Sequence, residues 1–353
     1  MMTINDFCIF IISYGRPKFL MGKTWKLLNS INSTAKRYVV CSDDDPTIDE
    51  YRKLFGKDTV VVFSKEEAER TTGMDLMDCY YGEHNNKKGT VWARNIQYKL
   101  ARQLGYRWFM MFDDDYITYH IKNVFKDKRG WEYLDSRCDF FDDTYDKFCL
   151  KMFDVLNSTP WLYTVASPQA ADYTGGVTSQ FVKNEYKFKA MNVFWFDCEK
   201  EMRFYGRLND DVSSYVLNGS RGELSLTMFG PEIRQLPTQQ TAGGMTDIYK
   251  YFGTYMKSLY SSMIFPSGVY LNIYGGHHYT MRIHHMISWK HTIPKIIDEK
   301  FCKGKPLDYI TECIHDNIKI DENFNVIPEE KIDFSSIELV EGFEPENSLE
   351  KFF

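Results

Sequence analysis

Hydrophobic positions in the first two-thirds of the chain come in two alternating kinds. Short unbroken β-type runs alternate with longer stretches at helical spacing, the pattern of a sheet covered by helices. Phe7 to Ser13 is an apolar run ended by the turn-like Tyr14-Gly15-Arg16-Pro17. Phe19, Leu20, Trp25, Leu27 and Leu28 then fit a helix, and Arg37 to Cys41 a second strand. That strand runs into Ser42-Asp43-Asp44-Asp45-Pro46, where Ser or Asp caps a helix holding Tyr51, Leu54 and Phe55. Thr59 to Phe63 is a third, β-branched strand, while Ser64 to Gly89 is polar and poorly periodic, as in a long loop. Thr90 to Leu104 reads as a helix stopped by Gly105, and Tyr106 to Phe112 as a strand ending in Asp113-Asp114-Asp115.

The second half is less regular. An aromatic and acidic stretch, Trp131 to Tyr145, precedes a helix from Asp146 to Asn157 and a strand from Leu162 to Ala166. Ser167 to Val177, with Gly175-Gly176, has the composition of a mobile loop, and Met191 to Asp197 that of another strand. After Gly206 a capped helix opens with Asp210 and Asp211 in its first turn. Open α/β sheets bind ligands at the carboxyl ends of their strands, so Ser13 to Arg16, Asp43 to Asp45 and Asp113 to Asp115 are expected to share one cleft.

Composition changes this picture in three ways. The 353 residues, 43% hydrophobic and 26% charged with 11 Pro and 22 Gly, exclude disorder, collagen-like repeats and coiled coil. The eight cysteines form no Cys-x-x-Cys pair and no zinc-finger spacing, so free thiols are expected. The longest apolar stretch, Phe7 to Ile12, is far too short for a membrane span, and no charged leader precedes it, so the expectation is a cytoplasmic protein without membrane contact. The net charge of -6 is uneven. From Glu312 onward stand 12 acidic and 3 basic residues, leaving residues 1 to 311 at +3 and open to a polyanionic partner. The expected organisation is therefore one catalytic domain, 1–311, with halves 1–120 and 121–311, followed by an acidic C-terminal extension, 312–353.

Alternation along a strand puts Asp113 and Asp115 on one side, close enough to share a divalent cation. Three adjacent carboxylates repel one another unless a cation neutralises them, although an acidic turn that caps the next element is the competing reading. Capping likewise competes with catalysis at Asp210 and Asp211, because a helix N-terminus stabilises ionised carboxylates.

Taken together, Ile12-Ser-Tyr-Gly-Arg-Pro17 after the first strand, acidic residues after the second, Trp92-Ala-Arg-Asn95 on a helix, the Asp-Asp-Asp strand end and Asn209-Asp-Asp-Val212 resemble the GT-A fold of nucleotide-sugar-dependent glycosyltransferases. The resemblance implies a Rossmann-like mixed central sheet flanked by helices. It places Ser13, Tyr14 and Arg16 at the nucleotide base and phosphates, Asp43 or Asp44 at the uracil or ribose, and Arg94 at the donor phosphates. Asp113, with Asp114 beside it, would meet the donor ribose or the metal, and Asp115 would bind Mn²⁺ or Mg²⁺. Asp211, or Asp210 in its place, would be the general base in an inverting enzyme. Such enzymes often add a late histidine ligand, and among His277, His278, His284, His285 and His291 alternation favours His285, on the face with Ile283 and Ile287.

The acceptor is read from elsewhere. Basic and aromatic residues interleave at Lys183, Lys187 and Lys189 and again at Arg282, Trp289, Lys290 and Lys295, as in surfaces that hold nucleic acid, although a solvated face with snorkelling lysines accounts for them too. Thr241-Ala-Gly-Gly244 before an aromatic run, followed by Arg282-Ile-His-His285 and Pro294, is similar to the TET/JBP-associated glycosyltransferases of tailed phages. That similarity implies transfer of a hexose or arabinose from a UDP-sugar to 5-hydroxymethylcytosine in double-stranded DNA. A glycan, lipid or protein hydroxyl is the alternative acceptor. A metal-dependent nucleotidyltransferase is the alternative chemistry, against which Ser13 to Lys18 offers one Gly where a Gly-rich basic loop is expected.

Overall fold

The computed structural model describes residues 2–72, 89–126, 132–140, 142–167, 189–228, 231–235, 256–275, 281–292, 318–320 and 326–328. The chain divides into two compact units, Met1–Asp298 and Glu299–Phe353. In the second, Ile318–Ile320 and Val326–Pro328 form an antiparallel ribbon. All candidate chemistry lies in the first.

The first unit is built on strands β1 (Phe7–Ile12), β2 (Lys36–Ser42), β3 (Val60–Phe63), β4 (Trp108–Asp113), β5 (Tyr116–Lys126), β6 (Glu132–Asp139), β7 (Leu162–Ser167), β8 (Val193–Asp197), β9 (Leu224–Thr227), β10 (Pro231–Gln235), β11 (Val269–Gly275) and β12 (Met281–Ile287). Seven form the central sheet in the order β3-β2-β1-β4-β8-β7-β9. Only β8 runs against its neighbours. This is the mixed central sheet flanked by helices that the GT-A resemblance implies. A strand buried on both faces needs apolar residues at successive positions, and Phe7 to Ile11 of β1 are all fully buried.

Helix α1 (Pro17–Leu20) passes through a π turn, Met21–Trp25, into α2 (Lys26–Ser30). Then follow α3 (Ile48–Phe55), α4 (Lys65–Thr72), α5 (Thr90–Gln103), α6 (Thr144–Ser158) and α7 (Asp210–Ser220). On α6, Tyr145, Cys149, Met152, Phe153 and Leu156 are buried at helical spacing, and the Phe153 ring meets Phe7 of β1 at 4.8 Å. The order of the sheet matters for function, because β1 lies between β2 and β4 and the chain leaves it toward opposite edges. A ligand crevice opens at such a reversal, outside the carboxyl ends of the strands. Register pairs Ile12 with Asp113, so the Ser13–Arg16 turn and the Asp113–Asp115 turn emerge side by side.

Two departures from the sequence reading concern elements. Lys65–Thr72, read as loop, is helix α4, and the aromatic and acidic stretch read from Trp131 contains β6, which joins β5 and β10 in a small antiparallel sheet ordered β10-β5-β6. The expected loop after Ser167 and the aromatic run 247–255 lie outside the described residues. Cys8, Cys41, Cys149 and Cys198 are free and buried, as expected. No helix among the described residues is long and apolar enough to cross a membrane.

Candidate active site

The middle aspartate of the triplet points away from its neighbours. Arg16 grips Asp114 through two hydrogen bonds of 2.7 and 2.5 Å, and the Ser13 hydroxyl donates to the same carboxylate at 2.6 Å. Tyr51 completes the group, its hydroxyl 2.6 Å from Ser13 Oγ and accepting the Arg16 N–H at 3.1 Å. Burial pushes the Asp114 carboxyl above its ordinary pKa, and Arg16 opposes that shift. Ser13, Arg16 and Asp114, which the sequence reading assigns to the donor, are thus bonded to one another. These bonds tie the β1 turn to the β4 turn. Removing one partner of such a buried pair costs about 3–5 kcal/mol, because the other charge is left uncompensated.

Asp113 and Asp115 form the other side. Thr24, buried in the π turn, donates to the Asp113 carbonyl at 2.7 Å and accepts the Tyr116 N–H at 3.0 Å, closing the turn that carries both carboxylates. Asp113 accepts from the Tyr116 hydroxyl at 3.3 Å. Asp115 has a buried Oδ1 without a hydrogen-bond partner. Burial first, then the Asp113 and Asp114 charges, push its pKa up to about 7. A desolvated carboxylate beside two others is a group whose ionisation a divalent cation would favour, so Asp115 with Asp113 fits a metal ligand pair. Among the described residues no group of three His, Cys, Asp or Glu side chains is arranged to hold a metal ion.

Arg94 of α5 links the triplet to the second acidic motif. Its side chain is only 8% exposed and lies 3.5 Å from Asp113 and 3.4 Å from Asp210. Expected at the donor phosphates, this guanidinium is instead engaged by two carboxylates. Burial works against its charge, and Asp210, Asp113 and Asp211 overcome that effect and raise its pKa. Asp210 also accepts from Thr90 Oγ1 at 3.0 Å, and burial pushes its pKa up to about 6 against the pull of Arg94. Asp211 is partly exposed and accepts only a local bond, from the Val212 N–H at 2.8 Å. Of the two, Asp211 is the carboxylate presented outward.

Asn209 sets the direction in which α7 begins. It has a left-handed backbone, φ 57°, which Asn tolerates better than most residues, and its buried amide donates to Ser261 Oγ at 2.7 Å. The same amide nitrogen lies 3.5 Å from His285 Nδ1. Burial, with His284 and Lys257 nearby, pushes the His285 pKa down to about 4, so this ring is neutral near pH 7.

The remaining sequence-named residues are arranged as follows. Tyr14 donates to the Asp44 carbonyl at 3.4 Å, Asp44 pairs with Lys65 at 2.6 Å, and Asp43 accepts the Lys65 N–H at 3.1 Å. Asp45, read from the sequence as part of a helix cap and of the shared cleft, accepts the Gly15 N–H at 2.8 Å and both Thr47 donors. It ties the β2 turn to the β1 turn, where Gly15 has φ +71° and a side chain would be strained. Thr24, Tyr51, Thr90 and Lys65 also escaped the sequence reading. They carry no motif, and only tertiary packing brings them to the aspartates. Lys290 is exposed and Lys189 partly buried. Arg282 stands opposite Tyr274 in the β11–β12 register, and Lys183, Lys187 and Lys295 lie outside the described residues.

The site is thus a sheet reversal edged by carboxylates, with a second acidic pair joined to it through a buried arginine. The chain belongs to the TET-associated glycosyltransferase family, whose model matches residues 7–244. Among solved structures it is similar to S. aureus TarS, at 11% identity over 72% of this chain and 64% of that chain, with a TM-score of 0.37. The chain thus covers less than two thirds of that protein's chain. It is also similar to glucosyl-3-phosphoglycerate synthase from Mycobacterium tuberculosis, solved with Mn²⁺, UDP and glucosyl-3-phosphoglycerate, at 8% identity over 80% of this chain and 88% of that chain, with a TM-score of 0.40. No curated protein matches.

Proposed function

We propose that the protein is a divalent-cation-dependent glycosyltransferase that moves a sugar, a hexose or an arabinose, from a UDP-sugar to the hydroxyl of 5-hydroxymethylcytosine in double-stranded DNA. Family membership supports the reaction class and, through the family's name, the association with modified DNA bases. The observation that carries the reading is the Asp113–Arg94–Asp210 bridge, which holds the strand-end carboxylates beside the carboxylates that open α7. Donor-side and acceptor-side chemistry are thereby set next to each other.

In this reading Asp115 and Asp113 hold the cation, which would supply charge neutralisation for the departing diphosphate. Tyr14 and Asp43 or Asp44 take the nucleoside, at the turns where β1 and β2 end. Arg94 keeps Asp113 and Asp210 at fixed separation and adds positive potential to the donor side. Asp211 takes the proton of the acceptor hydroxyl as its oxygen bonds to the anomeric carbon and the bond from that carbon to the diphosphate oxygen breaks. Asp210, held against Arg94 and Thr90, positions Asp211 through the first turn of α7. The expected domain division, with a catalytic part to residue 311 and an acidic extension after it, belongs to the same proposal.

The donor half is tested by thermal unfolding with a panel of nucleotides. UDP and UDP-sugars should raise Tm in Mn²⁺ and do so far less in EDTA. At about 100 times Kd a ligand adds about 2.7 kcal/mol, enough to register clearly. Equal stabilisation in EDTA would remove the cation from donor binding, and preference for another nucleotide would replace UDP.

A further inference from the structure

From Ile248 to Ile297 the sequence contains no Asp or Glu in 50 residues, although acidic residues make up 49 of the 353. The same window carries Lys250, Lys257, Arg282, Lys290, Lys295 and five of the eight histidines. Its described part is a helical segment, 256–264, the β11–β12 hairpin and a short turn of helix, Trp289–Thr292.

The root of this hairpin is fixed to the site. Ser262 Oγ donates to the Val269 carbonyl at 3.1 Å, and Ser258 Oγ donates to that of Ile283 at 3.3 Å. His285 meets Asn209 at the start of α7, and Trp289 stacks on Tyr215 of the same helix at 6.0 Å. Ile273 and Ile283 stand directly opposite each other on the face that carries His285, and are 65% and 38% exposed. Tyr270, on the other face, is 51% exposed. A ribbon with an apolar pair on one face and no acidic residue is unsuited to plain solvent, and its charge is complementary to a polyanion.

We propose that the β11–β12 hairpin enters the major groove of the acceptor duplex and presents the modified base to Asp211. This rests on the DNA-acceptor reading above. A two-stranded β-ribbon fits the major groove, and the substituent on C5 of a pyrimidine projects into that groove. Lys257 and Lys290 contribute phosphate contacts, which salt weakens. Ile273, Ile283 and Tyr270 contribute apolar and stacking contacts to base edges and methyl groups, which salt leaves nearly alone.

The test is fluorescence anisotropy of the full chain with a labelled duplex containing 5-hydroxymethylcytosine, titrated from about 50 to 300 mM salt. Ile273→Ser and the Ile273→Ser/Tyr270→Ser pair should weaken binding about tenfold at every salt concentration without altering the slope of log K against log salt. Lys290→Gln should lower that slope by about one and weaken binding most at low salt. Unfolding midpoints near wild type establish that each variant is folded, and these side chains are exposed enough for that to hold. Wild-type affinity in the Ile273 and Tyr270 variants, with DNA still modified, would overturn the hairpin assignment and leave the acceptor reading intact. Absence of duplex binding by the wild type, with transfer to another hydroxyl, would overturn the acceptor reading itself. Binding of anionic phosphatidylserine vesicles that depends on Ile273 and Tyr270, with DNA binding unaffected, would assign the hairpin to a membrane surface instead.

Discussion

Asp211→Asn should lower turnover by about 10² to 10⁴, the usual scale for loss of a general base, while donor affinity stays close to wild type. The asymmetry follows from where the two aspartates of α7 sit. Asp210 is buried between Arg94 and Thr90, so Asp210→Asn perturbs the bridge to Asp113 and should reduce turnover and donor affinity together. Asp211 is partly exposed and stands beside the neutral His285. Its amide replacement keeps the local bond from the Val212 N–H and cannot take a proton. Single-turnover kinetics with donor in excess separate the two effects. Unchanged turnover in Asp211→Asn would move the base to Asp210 or indicate a retaining mechanism.

Asp115→Asn should abolish the Mn²⁺-dependent part of UDP-sugar binding and leave the fold in place. Asp115 has no hydrogen-bond partner at Oδ1 that the change would break, and its ionised form is disfavoured in the metal-free protein by burial and by Asp113 and Asp114. Replacing it therefore relieves repulsion among the carboxylates and removes the anionic ligand that answers to a cation. Calorimetry in Mn²⁺ and in EDTA makes the comparison. The variant should bind UDP in Mn²⁺ no better than the wild type does in EDTA. Wild-type affinity for donor and Mn²⁺ in Asp115→Asn would remove Asp115 from the site. Asp114→Asn serves as the contrast, because Asp114 spends both oxygens on Arg16 and Ser13, and its loss should appear chiefly as lower stability.

What the sequence disclosed here followed physical rules that act locally. The doubly buried strands β1 and β4 have to be apolar throughout, so their ends, and the aspartates that follow, were legible as strand ends. The first turn of α7 was legible because Asp at a helix start is a local preference. Helix α4 was missed because only Ala68 and Thr72 are buried, which leaves no apolar period to read. The signal that would have found it is Ser64-x-x-Glu67, since Ser64 Oγ accepts the Glu67 N–H at 3.3 Å. The pairing of Arg16 with Asp114 spans 98 residues of sequence, and no spacing rule reveals that these residues also bond each other. Arg94 shows the same limit. Its helix was legible, yet its two partners belong to distant motifs that meet only when the sheet is assembled.

The most direct test of the central claim is nucleoside mass spectrometry of duplex DNA containing 5-hydroxymethylcytosine after incubation with the protein, Mn²⁺ and UDP-sugars. The expected product is a new nucleoside heavier by one hexosyl or pentosyl group, formed only from the hydroxymethylated base, with stoichiometric release of UDP. It should be absent with unmodified DNA, in EDTA and with Asp211→Asn. Intact 5-hydroxymethylcytosine in every reaction, under conditions where the protein transfers the same sugar to a glycan, lipid or protein hydroxyl, would contradict that claim.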